Sequence, residues 1–101
     1  MAMQTDVLAS AVRTTDGQLL DQAGGTIARA RVKSIYIVPA ATAGSVVFKD
    51  GGTGGTTRLT VNTVASATQP TYLLLPGEGL LFSTNIFVDV TDIGSVMVFY
   101  G

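Results

Sequence analysis

Residues 28–39 read ARARVKSIYIVP, and the fold turns on whether this run is a helix or a strand. Ala28, Ala30 and Val32 alternate with Arg29, Arg31 and Lys33. A period of two puts the three bases on one face of an extended strand and the small apolar residues on the other. Residues 34–38 continue the run, apolar on both faces. The strand is therefore expected to begin exposed and end buried. Pro39 closes it, at a place strands tolerate.

The same period recurs downstream. Residues 43–45 turn the chain, and residues 46–48, VVF, form a short strand. Residues 58–64 alternate again, with Leu59 and Val61 facing in. Residues 72–75, YLLL, read as a buried strand stopped by Pro76 and Gly77. Residues 80–82 form another, stopped near Thr84 and Asn85. Ile86, Val88 and Val90 alternate with Phe87, Asp89 and Thr91. Residues 92–94 then turn the chain into a last hairpin completed by Val96, Val98 and Tyr100. No window of useful length has helical spacing, and Val, Thr, Ile, Tyr and Phe dominate the runs, as strands prefer. The expected fold is all-β, an antiparallel β-sandwich or small jelly roll of seven to eight short strands. Residues 26–101 form the sandwich domain. Residues 1–25 read as an N-terminal arm or hairpin: residues 6–12 suit a strand, Asp16 and Gly17 a turn, and residues 21–25 a joint. An arm lying on a neighbour and a hairpin packed on its own sandwich both fit.

A chain of 101 residues makes one domain that buries roughly 65% of its unfolded surface. Hydrophobic residues are 47% of it, enough for a core. Only 13% are charged, about half the roughly 25% of globular domains, so part of the surface is expected to face other subunits in a homo-oligomer or larger assembly. The net charge of −1 argues against a basic face for nucleic acid and against an anionic membrane. There is no cysteine, so no disulfide framework and no thiolate metal site. The first ten residues lack the marks of a signal peptide, and no apolar run approaches the roughly 18 residues that span a bilayer. A soluble chain made in a cytosol is expected.

Residues 50–61, DGGTGGTTRLTV, resemble a loop for phosphate. A phosphate loop of the Walker kind needs Gly-Lys-Ser/Thr and a helix behind it; here Thr56, Thr57 and Arg58 follow the glycines, and then a strand. A dinucleotide fingerprint needs a third glycine where Thr57 stands. The stretch is instead a hairpin loop, with glycine supplying positive φ, and Gly52, Thr53 and Gly54 at its tip are candidate contacts with another chain. Histidine is absent, as is cysteine, which removes the usual general base and nucleophile pairs. Asp50 and Glu78 lie in Gly-rich turns, and Asp89 and Asp92 near a hairpin end, without calcium-loop spacing; all read as solvated acids. No enzymatic activity, cofactor or metal is expected. Arg29, Arg31 and Lys33 hold half of the six basic residues. They suit a docking stripe for an acidic partner, or equally an edge strand that charge protects from aggregation.

Taken in order, RVKSIY at 31–36, GSVVFKDGG at 44–52, LPGEGLLF at 75–82, IFV at 86–88 and SVMVFYG at 95–101 resemble small virion structural proteins of tailed bacteriophages, particularly marine and cyanobacterial ones. The resemblance covers about residues 28–101. It implies a non-enzymatic β-sandwich present in many copies on the particle, assembled in the bacterial cytoplasm. The role implied first is a capsid decoration or cement subunit that docks on the major capsid protein or other virion subunits. A tail, connector or fibre component is the alternative. A host-surface carbohydrate-binding sandwich is a rival from another class, which would need exposed aromatics in a shallow groove.

Overall fold

The computed structural model describes residues 7–64, 70–75, 77 and 79–101. Pro76, Glu78 and residues 1–6 of the N-terminal segment lie outside the described residues. Among the described residues the chain forms β1 (Leu8–Ala9), β2 (Gly17–Gln18), β3 (Ala30–Pro39), β4 (Ser45–Asp50), β5 (Thr56–Asn62), β6 (Thr71–Leu74), β7 (Leu80–Phe82), β8 (Phe87–Thr91) and β9 (Ile93–Tyr100). Sheet one runs β1-β9-β3-β6, with β7 also on β3, and sheet two runs β2-β8-β4-β5. All pairs are antiparallel.

The strands from β3 to β9 are those that the alternation predicts. Their partners follow one scheme. β6 pairs with residues 34–37 of β3 and β7 with residues 30–32, and between them the Leu75 N–H donates to the Lys33 carbonyl at 3.0 Å. They are one interrupted strand along β3. With that, β1·β9, β2·β8, β3·β6/β7 and β4·β5 nest like the rungs of a single long hairpin whose tip is the β4–β5 loop. Successive rungs fall in alternate sheets, which is the topology of a jelly roll. Gly79 makes the interruption possible: at φ +92° it passes so close to the Val32 carbonyl that a Cβ would overlap it.

Three details differ from the sequence-based expectation. First, β8 and β9 form no hairpin. Thr91 pairs with Ser45 in sheet two, while Ile93 pairs with Pro39 in sheet one. The single residue between them, Asp92 at φ 50°, carries the chain across the sandwich, since even the tightest common hairpin needs two. Gly44 lies beneath this crossing, where a Cβ would overlap the carbonyls of Thr91 and Asp92. Second, β3 is not an edge strand; it lies between β9 and β6/β7, so protection of an edge is not what its bases do. Third, β6 is buried on one face only. It is an edge strand whose Leu73 packs on the core while Tyr72 and Leu74 point away from it.

The core lies between the sheets. Sheet one contributes Val32, Ile35, Ile37, Val96 and Val98, and sheet two contributes Val46, Phe48 and Val88. Each such side chain contributes about 1.5–3 kcal/mol when fully buried. Residues 7–25 join both sheets: β1 pairs with β9, β2 with β8, and Leu19 between them is fully buried. Ser10 is buried there too, its hydroxyl accepting the Val98 N–H at 3.0 Å and donating to the Ala11 carbonyl at 3.2 Å.

Candidate interaction faces

The outer face of sheet one is set by register. Tyr36 lies opposite Tyr72 and Met97, Ser34 opposite Leu74 and Phe99, and Val38 opposite Ser95. Opposed residues of antiparallel strands share a face. A β-bulge between Val32 and Ser34 changes the phase of β3. Before it Ala30 and Val32 face the core; after it Ile35 and Ile37 do, leaving Tyr36 and Val38 outward, with Ser34 on the same side by register but buried. Leu74 is 71% exposed and Tyr72 60% exposed, while Tyr36, Met97 and Phe99 are half-buried. From Ser34 to Val38 and across both neighbours, these outward positions carry no charge.

The outer face of sheet two is built on the same period with different chemistry. Val47 lies opposite Thr60 and Asp89, Lys49 opposite Thr57 and Phe87, and Ser45 opposite Asn62 and Thr91. Lys49 Nζ stands 3.8 Å from Asp89 Oδ2 and donates to the Thr53 carbonyl at 3.1 Å. Val47 and Phe87 apart, this face is polar, and its lysine is paired with its aspartate.

Of the candidate contacts read from the sequence, Arg29 is exposed just before β3, and Arg31 and Lys33 are half-buried at the start of the strand. Gly52, Thr53 and Gly54 sit in the tip joining β4 to β5, a hairpin loop as expected, in which Gly51 and Gly52 have φ of 108° and 93°. The structure brings stripe and loop to one end of the sandwich but on different sheets: Ala30 pairs with Phe82, and the two residues after Phe82 are tied to Asp50 at the base of the loop. Among the described residues the ion pairs are Lys49–Asp89 and Arg58–Asp50, and the three stripe bases have no acidic partner.

Asp50 departs from its sequence reading as a solvated turn acid. It is buried, and its carboxylate accepts N–H bonds from Ser83 at 2.9 Å and Thr84 at 2.8 Å and a guanidinium bond from Arg58 at 3.1 Å. The Ser83 and Thr84 bonds hold its pKa down from 3.8 to about 2, with Arg58 assisting and burial opposing. No local signal marks this role, because Ser83 and Thr84 lie 33 and 34 residues away. The outer apolar face had a signal: residues 35–38 are apolar in both phases of the strand, and only one phase can face the core.

Two clefts remain. An open one of about 480 Å³ at the Asp92 end is lined by Thr14, Thr15, Asp16, Val90, Asp92 and Ile93. Asp16 is committed there, accepting the Val90 N–H at 2.7 Å. A smaller one of about 160 Å³ lies between the sheets among Arg58, Leu59, Leu75, Gly79 and Leu80. Among the described residues no three His, Cys, Asp or Glu side chains gather as a metal site. Comparison of the chain with family models, with curated proteins and with solved structures gives no match, and the two outer faces are what bear on function.

Proposed function

We propose that the chain is a non-enzymatic virion structural subunit of a tailed bacteriophage, of the capsid decoration or cement kind, and that it adheres through the outer face of sheet one. The observation that carries this reading is the contrast between an outer face that is apolar and uncharged around residues 34–38 of β3 and a mostly polar outer face, with its own ion pair, on the other sheet. An apolar face of this extent marks an interaction surface. Burying it supplies affinity at roughly 25 cal/mol per Å², less the entropy of docking. The ordered resemblance of residues 28–101 to phage virion proteins points the adhesion at a particle. The jelly roll is compatible with this by analogy, since viral capsid domains use it, but so do lectins. The neighbouring Tyr36 and Tyr72 favour a glycan-binding face as the second reading.

Quantitative mass spectrometry of purified virions of the encoding phage tests the proposal. Many copies per particle are expected, and absence from the particle overturns it. Binding to a glycan array, lost in Tyr72→Ala, would replace it with the second reading.

A further inference from the structure

We infer that the outer face of sheet one closes on a second copy of this chain, with the two β3 strands antiparallel across the interface. The inference takes from the proposed function only that this face is adhesive. Extent is the first argument. Four strands at about 4.8 Å and the eight residues 31–38 of β3 at about 3.3 Å each, the basic start at Arg31 and Lys33 included with the apolar part, span about 19 by 26 Å, or about 500 Å². This approaches the roughly 600 Å² per partner at which specific interfaces begin.

Charge selects the occupant and its direction. Along β3 the face starts with Arg29, Arg31 and Lys33, is apolar around Tyr36, and ends where Pro39 pairs with Ile93. Exposed Asp92 follows there, sharing a cleft with Asp16. Arg13 also approaches this end, but its guanidinium is engaged by the carbonyls of Thr15, Asp16 and Gln18. Two copies stacked with β3 strands parallel would set three bases against three bases. Turned antiparallel, each basic end meets the other copy's acidic end. A twofold axis lying in the interface and crossing β3 at Tyr36 does this, and brings the row Tyr72, Tyr36 and Met97 of one copy onto the same row of the other. Such an isologous contact uses one face per copy and closes as a dimer.

The chain has no cysteine, so single introduced thiols report the contact cleanly. Sedimentation equilibrium of the purified protein is expected to show a monomer–dimer equilibrium, with Leu74→Asp weakening it at least tenfold and Thr60→Asp, on the other sheet, leaving it unchanged. With a short bismaleimide, Tyr72→Cys is expected to cross-link to itself, Val38→Cys poorly and Thr60→Cys not at all. A wild-type monomer at about 100 μM, a dimer indifferent to Leu74→Asp, or cross-linking that favours Val38→Cys over Tyr72→Cys overturns the inference. Should Leu74→Asp fail to fold, the cross-links decide alone. A monomer found in many copies on particles overturns the dimer and leaves the virion reading standing; a dimer absent from particles does the reverse.

Discussion

Sheet one and sheet two share a core, yet they meet their surroundings differently. In sheet two the outward positions of β4, β5 and β8 are mostly Ser, Thr, Asn, Lys and Asp, and the Lys49–Asp89 pair lies among them. In sheet one the outward positions of β3, β6 and β9 include Tyr36, Val38, Tyr72, Leu74, Met97 and Phe99. The two faces arise from one folding rule and diverge only in what fills the second position of each pair of residues. A polar second position makes a strand stop at water. An apolar second position leaves a strand able to bury both faces, one in its own core and one against something else. The low charge of the whole chain is therefore unevenly spread over its surface.

The comparison assumes that both faces belong to one body, and Asp50 is where that is tested hardest. Its carboxylate joins the end of β4 in sheet two to the residues after β7 in sheet one. Asp50→Ala leaves the Ser83 and Thr84 N–H groups and Arg58 without their acceptor and is expected to cost about 2 kcal/mol in urea denaturation. Two separate transitions in place of one would break the assumption. The same group sets an acid limit. Its folded pKa of about 2 lies below the ordinary 3.8, so its contribution is complete above pH 3.8 and is lost as pH falls towards 2. Denaturation across that range should show this loss in the wild type and a flatter profile in Asp50→Ala.

The inside–outside contrast sharpens on β6 itself. Leu73→Ala, which removes a side chain packed on the core, is expected to cost about 1.5 kcal/mol, and Leu74→Ala less than about 0.5 kcal/mol at protein concentrations low enough to keep the chain monomeric. Equal losses would mean that the outer face is structural. The smallest effect belongs to sheet two: Asp89→Ala removes an exposed ion pair and should change stability by less than about 0.5 kcal/mol, as read by the urea midpoint.

Period-two alternation made the seven strands from β3 to β9 legible, because side-chain direction is a local property of an extended chain. Partner choice was not legible. Ile86 to Tyr100 alternates in the same way whether the chain folds back at Asp92 or crosses to the other sheet, so a hairpin was expected where a crossing exists. Residues 72–75 were expected to be buried because they are apolar, but an apolar residue shows only that water is unfavourable to it, not which neighbour removes the water. The hairpin form of the glycine loop was legible because positive φ at Gly51 and Gly52 is a local property of glycine. The burial of Asp50 was not legible because the backbone N–H groups that it accepts from, those of Ser83 and Thr84, belong to a distant part of the chain. Arg29, Arg31 and Lys33 were recognisable as a stripe, while the bulge at Lys33 that ends it leaves no mark in the alternation that precedes it.

The nested pairing has a consequence for synthesis. Sheet one is completed by β9, which fills the gap between β1 and β3, so its centre is the last strand to be made. Until β9 has emerged from the ribosome, β1 has no partner and β3 presents one bare edge beside Tyr36, a row of open N–H and C=O groups next to apolar side chains. Folding must wait for the longest-range contacts in the chain, which places it among the slow, millisecond-to-second topologies. During that interval the nascent chain carries its stickiest surface uncovered, and neighbouring ribosomes on one message would hold several such chains close together.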